Sequence, residues 1–259
     1  GGWLREEQQL QFEGNAWVGG DAVVTGNAVV DGHAKVSGNA RVAGNARVSE
    51  NARVAKNAVV DGHAKVSGNA AVTGNAVVTQ RARVAENAFV DGHARVSENA
   101  RVVGNAVVSG DVVVDGDVVV SGNAMVTSNA IVTQRARVIG NAIVSGDSLV
   151  SGNSIVTGTA VVKGDAVVSV DSDLVCIGPI GSEKGTLVAH RDRKLGIRVT
   201  RGCHSGSIED FKKAVDERHG DNFHGRTYHS AITFIESLFA IADSRKLEDI
   251  DLGQESSFT

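Results

Sequence analysis

The sequence predicts an all-β solenoid, a parallel β-helix of triangular section and about nine coils, followed by a small C-terminal α+β domain. Three observations carry this. One six-residue phrase, G-N-A-x-V-x, runs from Gly14 to Ser169 without insertion or deletion. Within it one position is Val in every hexad from Val18 to Val168, and the position two residues earlier is Ala throughout except at Val112, Val118, Ser148 and Ser154. After Ser169 the phrase decays and helix and hairpin signals replace it. The expected segments are a cap over residues 1–13, the solenoid over 14–170, the α+β domain over 171–245 and a flexible tail over 246–259.

A period of six is incompatible with an α-helical stripe. It suits a short strand whose alternate residues face in and out, followed by a corner, with copies stacked on one another. Ala and Val face inward and the residue between them faces out. Inward residues this small fill only a narrow prism, so three sides make a coil of eighteen residues; a wider polygon would be hollow. At an inter-strand spacing of about 4.8 Å the coils build a rod on the order of 40 Å long.

The other three positions, such as Ser37-Gly38-Asn39, form the corner. Gly in the middle permits a left-handed backbone, and Asn or Asp after it can bond nearby backbone. Where Glu50, Lys56, Gln80, Glu86, Glu98, Ser128 and Gln134 replace that Gly, the corner has to tolerate a Cβ.

Repeats such as Val36-Ser37-Gly38-Asn39-Ala40-Arg41 resemble the hexapeptide repeat of left-handed parallel β-helices, whose best-known members are acyltransferases. The opening Gly1-Gly2-Trp3 through Gly14-Asn15-Ala16-Trp17-Val18 resembles the start of uncharacterised bacterial and prophage hexapeptide-repeat proteins. The resemblance implies the fold and its handedness; the hexad itself specifies the coil and carries no chemistry. It also implies an alternative function, coenzyme A-dependent acyl transfer with a His as general base near a subunit interface, coenzyme A then being the cofactor. Without that activity no cofactor is expected.

At the N-terminus, Leu10 and Phe12 fall on the Ala and Val registers of a degenerate first hexad. With Trp3 and Leu4 they are expected to plug the open end of the first coil, because an exposed edge offers unpaired backbone and apolar surface. Capping is also favoured over a ligand role for Trp3 and Trp17. The chain has no apolar signal segment or membrane-spanning run, and the lack of an initiator Met leaves Gly1 open as a boundary rather than a native start. Two cysteines, Cys176 and Cys203, make no disulfide framework, so the expected compartment is cytoplasmic. A net charge of −4 argues for no partner, and the 4% aromatic content fits an interior without room for rings.

Every eighteenth residue shares a side. The first side reads from Trp17 through Lys35 and Arg53 to Val107, Met125, Ile143 and Val161; the second ends in Val113, Ile131, Leu149 and Val167. These aliphatic ladders point away from the core and would expose on the order of 500 Å² of apolar surface on a monomer, at the upper edge for soluble proteins. Burial in a homotrimer with parallel axes is therefore expected, the arrangement that the resemblance implies. The third side carries Arg47, Lys65, Arg83 and Arg101 on four consecutive coils and Arg137 two coils on, a candidate site for an acidic protein or a nucleic acid. Glu50 and Glu86 at the following corner can offset part of that charge.

Three Asp-Gly-His copies, at His33, His63 and His93, are the catalytic candidates if the acyltransferase reading holds. Their spacing is thirty residues, one coil plus two sides, which puts them on three different corners. The favoured reading makes them polar corner residues replacing Asn, and the coil extrudes no loop to wall an acceptor site. Ice binding is disfavoured because Thr25, Thr73, Thr79 and Thr127 occupy corners.

In the C-terminal domain, Leu174 to Ile177, Thr186 to His190 and Ile197 to Thr200 read as strands joined by a Gly178-Pro179 turn region and a polar hairpin. Ser207 and Asp210 read as a capping box opening a helix to about Arg218, and apolar spacing predicts a second helix from about Arg226 to Ser244. Cys203, His190, His204, His219, His224 and His229 are ligand or nucleophile types without a zinc spacing, so no metal is expected. The function expected overall is a non-catalytic, rigid, oligomeric scaffold or binding protein.

Overall fold

The computed structural model describes the backbone of residues 3–4 and 10–255 and the side chains of residues 14–244. It divides into two compact units, Gly1–Asp165 and Ala166–Thr259.

The first unit is a left-handed parallel β-helix. Most of its strands are only two residues long, as at Arg47–Val48 and Lys65–Val66, and each pairs in parallel with the strand eighteen residues away. Such short strands hold because the corners are bonded as well: Asn27 N–H donates to Gly44 O at 2.7 Å, and Asn39 N–H to Lys56 O at 2.7 Å. The inward Val from Val24 to Val162 and the inward Ala from Ala22 to Ala160 are buried. At two of the exceptions, buried Ser154 donates its hydroxyl to Ser151 O at 2.6 Å and Ser148 donates likewise to Ser145 O. A hydroxyl is thereby accommodated in the prism without an orphan donor.

Every predicted Cβ-bearing corner is left-handed, with φ between 57° and 66° from Glu50 to Gln134. Corners stack backbone on backbone: a Cβ added at Gly62 would lie 2.9 Å from Gln80 N. Asn side chains form ladders up the corners, Asn51 Nδ2 donating to Asn69 Oδ1 at 3.1 Å and Asn69 to Asn87 at 3.0 Å. Asn thus bonds the next coil's side chain, rather than nearby backbone alone.

At the N-terminus, Trp3–Leu4 pairs with Val23–Val24 and Leu10–Gly14 with Val29–Gly32, both in parallel. Leu10 stands opposite Val30 rather than on the Ala register that the hexad assigns to it, because a bulge before Gly14 shifts the pairing. Whether Leu4, Leu10 and Phe12 plug the coil lies outside the described side chains. Trp17 points outward, half-exposed, over Gly19, where a Cβ would strike its ring.

The second unit contains a four-stranded antiparallel meander, Leu174–Ile180, Gly185–Asp192, Gly196–Arg201 and His204–Ser207, in that order. The Gly178-Pro179 peptide is cis and lies within the first strand; the turn is residues 181–184. An edge strand tolerates Pro, since no ladder bond is lost on its open side. The fourth strand escapes the sequence reading because His-Ser-Gly-Ser has no strand-forming residue; its register against Gly196–Arg201 supplies what propensity does not.

Helix α1, Ile208–His219, begins at the expected capping box: Ser207 Oγ accepts from Asp210 N–H at 3.1 Å, and Asp210 accepts from Ser207 N–H. Helix α2 spans Phe223–Glu255. The helix therefore continues through most of the stretch expected as a flexible tail, since from Arg245 to Leu252 no Gly or Pro interrupts a run of good helix formers. Both helices pack on the sheet through Phe211, Val215, Ile232, Ile235 and Phe239 against Leu187, Ala189 and Val199. Arg191 ties α2 down, its guanidinium 4.5 Å from the Phe239 ring centroid and donating to Phe239 O and Asp243. No helix among the described residues is long and apolar enough to cross a membrane.

Candidate functional site

The third side of the solenoid stacks Arg47, Lys65, Arg83 and Arg101 in direct Cα register, each outward and exposed beside a buried Val. Neighbouring strands hold their Cα atoms about 4.8 Å apart, before the side chains diverge. At about 4.8 Å adjacent like charges repel by roughly 1 kcal/mol even at the dielectric of water.

Arg47 is drawn out of this row. Its guanidinium binds the buried carboxylate of Asp31, so its charge is answered within the coil. Lys65, Arg83 and Arg101 instead converge with the preceding corner, where His63 and Arg81 follow Asn45 and precede Asn99; together these residues line one open depression without a carboxylate in its wall. Arg137 stands apart, since Val119 occupies the intervening strand. Of the five stripe residues, then, three share a surface, and His63 joins them from the set read as candidate catalytic residues.

The three histidines lie on different corners. His33 lines a separate depression with Lys35 and Arg53. His93 occupies a rung of the Asn ladder, its Nε2 2.9 Å from Asn75 Nδ2 and its Nδ1 3.1 Å from Asp111 Oδ1. Beside it Asp91 accepts from Thr73 Oγ1 at 2.7 Å, and that hydrogen bond is the main cause of a carboxyl pKa below the ordinary value. Thr73 is thus committed to the corner.

The aliphatic residues of the first two sides are stacked as the spacing requires. Val107, Met125, Ile143 and Val161 follow one another in register, as do Val113, Ile131 and Leu149; Val167 belongs to the second unit. Met125 and Ile131 are each 40% exposed, a large value for such side chains in a repeated row.

In the second unit Cys203, His204 and His219 line one cleft, with the His224 ring 5.9 Å from that of His219, while the other polar candidates lie elsewhere. His190 is buried in the sheet with Nδ1 3.0 Å from Arg191 O, His229 pairs with Asp216 at 2.8 Å, and His219 closes α1 ahead of Gly220. Cys176 and Cys203 are both free. Among the described residues no group of three or more His, Cys, Asp or Glu side chains is placed to hold a metal ion.

Residues 34–50 and 94–110 match the family model described as the YdcK beta solenoid repeat. Similar solved structures include UDP-N-acetylglucosamine O-acyltransferase (LpxA) from Moraxella catarrhalis RH4, 15% identical over 63% of this chain and 72% of that one, with a TM-score of 0.35. LpxA from Bacteroides fragilis 9343 is 12% identical, covering 62% and 70% with a TM-score of 0.37. The UDP-N-acetylglucosamine acyltransferase of Campylobacter jejuni is 10% identical, covering 87% and 79% with a TM-score of 0.34. No curated protein matches the chain.

Proposed function

We propose that this hexapeptide-repeat solenoid, bearing YdcK-type repeats, is a rigid, non-catalytic binding scaffold whose third side receives an anionic macromolecule. The observation that carries the reading is the depression lined by His63, Lys65, Arg81, Arg83 and Arg101. Stacked cations on a stiff backbone repel one another, and each anionic group that settles among them removes that repulsion while gaining charge-assisted hydrogen bonds. Rigidity adds to this, because the strands that carry the side chains need no reordering on binding. The dispersion of His33, His63 and His93 over three corners favours binding over acyl transfer, which would require one His and a cofactor groove to converge.

Binding of duplex DNA, RNA and an acidic polypeptide at low and physiological salt tests the proposal. At least one polyanion is expected to bind with an affinity that falls steeply with salt, and Arg83→Glu and Arg101→Glu are each expected to weaken it about tenfold or more. Absence of binding at low salt, or indifference to both reversals, would overturn it.

A further inference from the structure

The second unit contains a cleft of about 160 Å³ that neither the repeat nor the proposed scaffold role employs. The 181–184 turn and the end of the third strand form one wall, α1 forms the other, and Tyr228 of α2 contributes from below. Its chemistry is uneven. Phe211 and Val215 are buried and give an apolar floor, while Arg201 and Arg218 bring two guanidinium groups against a single carboxylate, that of Glu183, which is 74% exposed.

Arg201 is the telling residue. Its side chain is only 10% exposed, yet its nearest carboxylate, Glu183, stands 4.0 Å from Nη1, beyond hydrogen-bond distance. Nη2 donates to Ile180 O at 2.8 Å, and Nε is buried with no hydrogen-bond partner. A guanidinium buried with so little compensation is costly, and the cost falls when an anion reaches its open edge. Two glycines keep room for the group. A Cβ at Gly185 would lie 2.5 Å from Arg201 Nη1, and one at Gly181 would lie 3.3 Å from Nη2 and strike the Tyr228 hydroxyl. Space, buried positive charge and an aromatic floor therefore coincide.

We propose that this cleft binds a small organic anion, its carboxylate or phosphate held by Arg201 and Arg218 and its apolar part lying on Phe211 and Val215. The volume suits a compound the size of a single substituted ring rather than a nucleotide or a peptide. The site is distinct from the basic depression of the solenoid, and charge reversals there leave it untouched.

Cys203 at the cleft, with Cys176 outside it, provides an internal control. The full chain is alkylated with iodoacetamide in the presence of phenyl phosphate, benzoate or the neutral benzyl alcohol, and the rate at each cysteine is followed by mass spectrometry. One or both anions are expected to slow Cys203 at least about threefold, leaving Cys176 unchanged; which of them acts distinguishes a phosphate from a carboxylate head group. Calorimetry should give one site per chain, and Arg218→Gln, at an exposed position, should weaken binding about tenfold while the chain stays folded. No protection by either anion at about 10 mM overturns the proposal. So does equal protection by benzyl alcohol, or an affinity unchanged in folded Arg218→Gln.

Discussion

Residues at the corners show how a repeat tolerates departures from its consensus. Glu50 holds φ at 61°, a conformation that costs an L-residue about 1–2 kcal/mol and a Gly almost nothing. Gly also loses more backbone freedom on folding, by roughly 0.5–1 kcal/mol. Glu50→Gly is therefore expected to stabilise the coil by about 0.5–1 kcal/mol, read as a rise in the denaturation midpoint. Gln80 shares that geometry, but its Oε1 accepts from Glu98 N–H of the next coil at 2.6 Å, as Gln134 Oε1 does from Gly152 N–H at 2.7 Å. Removing that bond costs about 1 kcal/mol, so Gln80→Gly should change stability little. A gain for Gln80→Gly equal to that for Glu50→Gly would show that the side-chain bond contributes nothing.

Asp192 is the corresponding residue of the second unit. Burial works to raise its carboxyl pKa, but hydrogen bonds from Arg198, Leu195 and Lys194 and the charge of Arg198 outweigh burial and hold it below the ordinary value. A carboxyl depressed in the folded state contributes stability that is present above its unfolded pKa of about 3.9 and is lost as pH falls through the folded value. Asp192→Asn should destabilise the second unit by about 3 kcal/mol at neutral pH and flatten its acid-induced loss of stability below about pH 4. Chemical denaturation at pH 7 and pH 3 checks both, and an unchanged pH slope would contradict the assignment.

The coil is the element that matters energetically, and it leaves little slack. Val66 is fully buried between Val48 and Val84, and the prism around it is closed by Ala and Val of the other two sides. Val66→Ala should cost about 2–3 kcal/mol, because a stack of two-residue strands cannot collapse into the gap without losing register. A cost below about 1 kcal/mol, measured by urea denaturation, would indicate that coils slide to fill voids. The N-terminal elements behave otherwise: Trp3–Leu4 and Leu10–Gly14 extend two sheets by backbone pairing even though the hexad has decayed there. Pairing to an existing edge needs no side-chain repeat, only free N–H and C=O groups.

For the whole molecule, the outward aliphatic ladders of the first two sides set the expected assembly. Two adjacent sides meet at one corner and form a wedge, which suits packing about a threefold axis. A homotrimer with parallel coils is accordingly expected at micromolar concentration, with Ile131→Glu dissociating it, since a charge would be buried without a partner in each interface. Light scattering that gives a monomer for the parent chain would dismiss the interface. The same measurement on Arg83→Glu should return the parent mass, because the basic depression occupies the third side and not these two.

The amino-acid sequence by itself determined the coil. A six-residue period with one invariant Val, a near-invariant Ala and a corner that tolerates a left-handed residue predicts stacked three-sided coils, though not their handedness, and the seven Cβ-bearing corners were legible as positive-φ positions. Repetition makes local and tertiary information the same thing, because each residue's neighbour is its own counterpart eighteen positions away. What only the tertiary structure decided lies where that identity fails. Arg47 looked equivalent to Lys65, Arg83 and Arg101, but Asp31, sixteen residues earlier and on no shared register, removes it from the row. Arg201 carried no signal at all: its burial, its glycine-cleared pocket and its sparse bonding arise from a meander and two helices brought together across long stretches of chain. Contacts between unlike elements leave no period to read, and such contacts build the cleft.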